Sequence, residues 1–240
     1  MTTSGPQDSP TLILCHGAGS SADFLARAFP SASCRCRTVY LEDRTGSVPR
    51  MVDALRDAIR DLGPSPGQVF VGGVSIGAHA AALLAGEHRR PRIDGCVFVM
   101  PAWTGTPPQH SSAAVVAEEI NADGAVAVLD RLGRDPATRD DWVFDELRRA
   151  WRSRPTLGSE LAVAASGDGP TAAHLASIAV PSLIVALRDD PVHPLGVARA
   201  WQSSIPFSRL VALERSAPSE DRSIFGAQVA GWLAALNAPR

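Results

Sequence analysis

The stretch Val69-Phe70-Val71-Gly72-Gly73-Val74-Ser75-Ile76-Gly77-Ala78-His79-Ala80-Ala81 constrains this 240-residue chain more than any other. An apolar β-type run enters Gly73-Val74-Ser75-Ile76-Gly77, and an alanine-rich helical run leaves it. A strand can turn this sharply into a helix only where small residues let the backbones close up. The residue at the apex then holds strained backbone angles. Gly73 and Gly77 supply the room and Ser75 takes the apex. Its hydroxyl should stand clear of a sheet, beside the first N–H groups of a helix whose dipole favours negative charge. That arrangement suits a serine nucleophile next to an oxyanion site. The plain alternative is a glycine-rich βα turn with no chemistry.

The rest of the chain alternates in the same way. Strands are expected at 11–15, 37–41, 68–74, 93–100, 180–187 and 208–213, and core helices near 21–29, 49–62, 76–88, 195–203 and 224–236. In the 49–62 segment Val52, Leu55 and Ile59 recur at helical spacing. The run Gly63-Pro64-Ser65-Pro66-Gly67 ends it. Repeated βα order predicts a doubly wound α/β fold, with about six mainly parallel strands and helices on both faces. Between Trp103 and Ala173 the alternation breaks into helices only, with candidates at 111–132, 140–153 and 159–166. This divides the chain into a core of 1–102 and 174–240 and a helical insertion of 103–173. The insertion would form a roof over the strand ends, or pack on the sheet edge as decoration. Trp103 follows the strand end Met100-Pro101-Ala102, where open α/β sheets carry ligands. It is a candidate substrate-binding wall, or a core tryptophan under the insertion.

Composition narrows the function classes. Hydrophobic residues make up 45% and charged residues 20%, as in globular proteins, and the length suits a single α/β domain. A net charge of −2 offers no footprint for nucleic acid or an anionic membrane. No apolar run reaches the roughly 18 residues of a membrane span, and the polar start at 1–10 has no signal-peptide core. The expectation is a cytoplasmic protein whose partner is a small-molecule substrate or ligand. Cys15 and Cys96 fall in expected buried strands, and Cys34-x-Cys36 lacks the ligands of a zinc site. No metal or cofactor is expected. Oligomeric state is not legible.

A second landmark joins the first. The strand Thr11-Leu12-Ile13-Leu14-Cys15 runs into His16-Gly17-Ala18-Gly19-Ser20-Ser21, which resembles the His-Gly oxyanion loop of the α/β-hydrolase family. The resemblance spans residues 10 to 236. It implies an α/β-hydrolase fold, with the insertion as a helical cap after the sixth family strand. It also implies an oxyanion hole of backbone N–H groups from Ala18, with Gly17, and from Ile76. His16 would shape the loop. Glu42-Asp43-Arg44-Thr45-Gly46-Ser47 loosely matches another family loop. The acid loop is matched by Arg188-Asp189-Asp190-Pro191-Val192-His193-Pro194, where spacing to the proline selects Asp190 as the catalytic acid.

The family's base is a histidine in the loop after the last strand. Here that loop reads Glu214-Arg215-Ser216-Ala217-Pro218-Ser219-Glu220-Asp221, and no histidine follows His193. Ser216 or Ala217 stands in its place, and neither takes up a proton near neutral pH. His193, three residues beyond Asp190, is the foremost substitute base. His110, His174 and His79 are weaker candidates, and His88 suits a helix end. Two function classes follow. One is a serine hydrolase of a small ester, thioester or related acyl compound, with Ser75, Asp190 and His193 as an atypical or degraded triad. The other keeps the fold but binds a small molecule, or performs lyase, cyclase or isomerase chemistry in the same pocket. A serine without a base is a poor nucleophile, so the missing histidine keeps the second class open.

Overall fold

The computed structural model describes residues 9–63, 67–139 and 141–238. In chain order the elements are β1 (Thr11–Cys15), α1 (Ala22–Ala28), α2 (Ser31–Cys34), β2 (Arg37–Leu41), α3 (Val48–Asp61), β3 (Val69–Val74), α4 (Ile76–Gly86) and β4 (Gly95–Val99). Six helices follow without a strand: α5 (Ser112–Asp123), α6 (Ala125–Leu132), α7 (Pro136–Arg139), α8 (Trp142–Trp151), α9 (Leu157–Ser166) and α10 (Ala172–Ala176). The chain closes with β5 (Ser182–Leu187), α11 (Leu195–Ser204), β6 (Ser208–Leu213), α12 (Ala217–Glu220) and α13 (Ile224–Leu236).

The six strands form one sheet in the order β2-β1-β3-β4-β5-β6, parallel at every pairing. This is the doubly wound α/β architecture that the alternation predicts. β1, β3, β4 and β5 are buried along their whole length, whereas the edge strands β2 and β6 are only half-buried. Two apolar layers cover the faces. One packs α3, α4 and α11 on the sheet through residues such as Leu55, Ala81 and Trp201. The other brings Phe24 of α1, Phe29 just after it, and Phe225 and Trp232 of α13 against Phe70 and Val97. A third cluster, with Val128, Phe144, Trp151 and Leu161 among its members, holds the helical segment together.

Several boundaries differ from the sequence expectation, each for a local reason. The single helix expected over 111–132 is two, because Gly124 takes φ 84° and turns the chain between them. The strand expected from 180 starts at Ser182, after Pro181, which has no N–H for the ladder. The strand expected over 93–100 is Gly95–Val99, and Met100 leaves it at φ 48°. Helix α4 ends at Gly86 rather than at His88, which lies in the following turn. The loop after β6 contains the short helix α12, with Pro218 in its first turn.

Candidate active site

The turn between β3 and α4 explains why those residues are small. A Cβ on Gly73 would run into the Gly77 carbonyl, and one on Gly77 would run into the Cys15 carbonyl of β1. Ser75, at the apex, has φ 56° and ψ −119°, a conformation that costs an L-residue about 1–3 kcal/mol. Its N–H donates to the Val99 carbonyl at 2.9 Å, so the neighbouring strand holds the strained residue. Its side chain is half-buried, and Oγ makes no hydrogen bond among the described residues. Ile76 opens α4, where an N–H has no intrahelical acceptor.

The loop after β1 lies directly on Ser75. A Cβ on Gly17 would sit 3.1 Å from Ser75 Cβ and 3.8 Å from Oγ. This brings the backbone of Gly17 against Ser75. His16 is fully buried beneath the loop. Its Nε2 accepts from the Asp43 N–H at 3.0 Å, so the proton belongs on Nδ1, 2.7 Å from the Gly17 carbonyl. Burial lowers its pKa and keeps it neutral. The loop it braces is tied in turn by Asp43 Oδ1, which accepts from the N–H groups of Thr45 and Gly46.

Asp190 sits at the end of β5, after Asp189 at φ 54°, and is 7% exposed. Its Oδ1 accepts from the N–H groups of Val192 at 2.8 Å and His193 at 3.1 Å. Its Oδ2 lies 3.2 Å from His193 Nδ1. Burial pushes its pKa up, but the hydrogen bonds and charge of His193 outweigh burial and hold it at about 2. The carboxylate is therefore ionised at neutral pH, and it holds the imidazole by Nδ1. That leaves Nε2 as the ring's second polar atom, without a protein partner among the described residues. The ring is 16% exposed and close enough to His79 that its charge lowers the pKa of His79 further.

The other histidines are occupied differently. His79 is fully buried one turn into α4, and its Nε2 accepts from the N–H groups of Ala102 at 3.2 Å and Trp103 at 3.3 Å. It fixes the chain leaving β4. Burial drives its pKa down to about 3. Trp103 packs edge-on against it, ring centroids 4.9 Å apart, with Trp201 on another side. Trp103 is 7% exposed, under the helical segment and beside Gly169. His174 serves a reciprocal cap with Thr171 at the start of α10, and His110 is exposed.

The sequence reading missed a set of residues that bind the helical segment to the core. Trp151 Nε1 donates to the Gly19 carbonyl at 2.9 Å, and Arg154 Nη1 donates to the Ser20 carbonyl at 2.5 Å. Glu160 Oε1 accepts from the Gly19 N–H at 3.2 Å and from Arg154 Nη2 at 2.9 Å. Burial raises the Glu160 pKa, and the Arg154 charge opposes that. At the other end of α8, Asp141 Oδ2 accepts from Arg215 Nε at 3.0 Å and Nη2 at 2.6 Å. Arg215 follows β6, next to the expected histidine position. No local spacing marks the contacts to the core, which join residues 74 to 141 positions apart. Among the described residues no group of three or more His, Cys, Asp or Glu could hold a metal ion, and no helix could cross a membrane.

Comparison with known proteins agrees with this fold. A search of curated proteins returned no match. Among solved structures, a thermophilic esterase from Thermogutta terrifontis superposes with TM-score 0.74 at 19% identity, over 97% of this chain and 92% of that one. An enol-lactonase from Burkholderia xenovorans LB400 also gives TM-score 0.74 and 19% identity, over 94% and 92%. MenH from S. aureus gives 0.72 at 15%, over 95% of each chain. At such identities these likenesses speak for the fold. The model of the alpha/beta hydrolase family matches residues 12–221, most of the chain, and the protein belongs to that family.

Proposed function

We propose that this protein is a serine hydrolase of a small ester, thioester or related acyl compound, with Ser75 as nucleophile, His193 as base and Asp190 as the group that orients the base. The observation that carries the reading is the pairing of Asp190 Oδ2 with His193 Nδ1, joined to a serine held at φ 56° in a strand-to-helix turn. A carboxylate bound to Nδ1 selects the tautomer whose Nε2 can take a proton, and it stabilises the imidazolium that results. Backbone N–H groups of Ile76 and Ala18, with Gly17, would receive the oxyanion. In the cycle, Nε2 takes the Ser75 hydroxyl proton as Oγ attacks the acyl carbon. The proton passes to the leaving alcohol or thiol, and water then releases the acid by the same steps. Residues 103–173 serve as the cap, fastened to the oxyanion loop by Trp151, Arg154 and Glu160 and to the acid side by Asp141. Trp103 would line the acyl side.

The unbonded Ser75 Oγ favours the second reading, a fold that binds or transforms a small molecule without a serine intermediate. Turnover of activated short-chain esters separates the two. Ser75→Ala and His193→Ala should each lower kcat by at least about 10³-fold with folding intact. Turnover that survives both substitutions would support the second reading.

A further inference from the structure

We propose that Arg215 is a positioning residue that stands in for the absent histidine after β6: it closes that side of the Asp190 carboxylate and fastens it to α8, which commits the carboxylate to His193. This rests on the assignment of Asp190 and His193 made above.

The argument starts from where Arg215 reaches. It lies two residues beyond the end of β6, yet its guanidinium spans two carboxylates. Nε and Nη2 hold Asp141 Oδ2, and Nη1 lies 3.4 Å from Asp190 Oδ1. Nη1 is buried and makes no hydrogen bond, and it lies within ion-pair range of the Asp190 carboxylate. Asp141 is itself fixed, since its Oδ1 caps α8 by accepting from the Val143 N–H at 2.9 Å. The carboxylate of Asp190 is thereby divided. Oδ2 serves His193, while Oδ1 takes two backbone N–H groups and the flank of the guanidinium. A histidine arriving from the loop after β6 would have to displace that flank. Ser216 is exposed, and Ala217 starts α12.

Arginine suits this place for a chemical reason. It stays charged throughout the working range, so it cannot accept the serine proton and cannot replace the base. Its rigid fork can engage two carboxylates from fixed directions. Its Nη1 lies 3.4 Å from Asp190 Oδ1, so it flanks the carboxylate on the side away from the oxygen that meets His193. Asp190 meets the His193 ring on its own loop and His79 of α4 lies close to it, while Arg215, with Asp141 behind it, reaches the other oxygen of Asp190 from the β6 and α8 side.

The test reads the tautomer of the His193 ring by 15N NMR at neutral pH in the wild type, Arg215→Gln and Arg215→Lys, without needing turnover. In the wild type the proton on Nδ1, bound to Asp190, should give one defined signature; loss of the guanidinium should weaken or scatter it, and lysine should keep it. An unchanged Nδ1–H signature in folded Arg215→Gln overturns the proposal. A second measurement does not depend on that variant folding. Ala217→His on the wild-type background should give no gain in ester turnover while Arg215 closes the carboxylate. A tenfold or greater gain would show that side open and would also overturn it. Failure of the parent reading looks different: His193→Ala would keep wild-type turnover, while the His193 ring signature would still report on Arg215.

Discussion

At the scale of single residues, the site is written in backbone conformation. Ser75 is kept at φ 56° by a turn that tolerates no Cβ at Gly73 or Gly77. Glycine adopts such angles without strain, so Ser75→Gly should be more stable than Ser75→Ala by about 1 kcal/mol, while both lose activity. Urea unfolding of the two variants checks this, and equal stabilities would mean that the apex carries no strain. The turn was legible because its constraints are local: two glycines and a serine within five residues, between a strand and a helix. Asp190 and His193 are likewise near neighbours in sequence, and the structure brings His193 Nδ1 to Asp190 Oδ2. Arg215 was not legible. Its meaning depends on Asp141, 74 positions away, and no pattern in either segment announces the other.

At the scale of elements, the sheet was readable and the helical segment only partly so. Buried parallel strands appear as short apolar runs bounded by turn residues, and the order of those runs gives the sheet. The segment from α5 to α10 has its own apolar cluster, so its periodicity shows helices without showing how they dock. What docks it is a buried ion pair. Arg154 and Glu160 are nearly inaccessible and together hold the Gly19–Ser20 backbone. Glu160→Gln keeps an acceptor for the Gly19 N–H but leaves Arg154 buried beside a neutral amide. The expected cost is about 3 kcal/mol in urea denaturation. Replacing both partners, as Arg154→Met with Glu160→Leu, should recover part of that stability. It should not recover ester turnover, because the loop beside Ser75 loses its fastening. Full activity in the double variant would show that the clamp is dispensable for function.

At the scale of the whole molecule, two neutral buried histidines link stability to pH. His79 is fully buried with its pKa lowered to about 3, below the value of about 6.5 expected in the unfolded chain. A histidine with a depressed folded pKa contributes stability that is present above the unfolded value and lost as pH falls toward the folded one. Below about pH 6 the unfolded state therefore binds one more proton at this site, and stability should fall by about 1.4 kcal/mol per pH unit. His16, whose pKa is also lowered by burial, adds to the same trend. His79→Gln should flatten the slope between pH 6 and 4 in thermal or urea unfolding, and an unchanged slope would assign acid sensitivity elsewhere.

The central claim is that a fold with no histidine after β6 still activates Ser75 through the base on its acid loop. Labelling with a fluorophosphonate, followed by intact mass and peptide mapping, tests it most directly. The account predicts one adduct per chain on Ser75, none in Ser75→Ala, and labelling at least about 100-fold slower in His193→Ala. Absence of an adduct in the wild type, or labelling of Ser75 at an undiminished rate in His193→Ala, would contradict it.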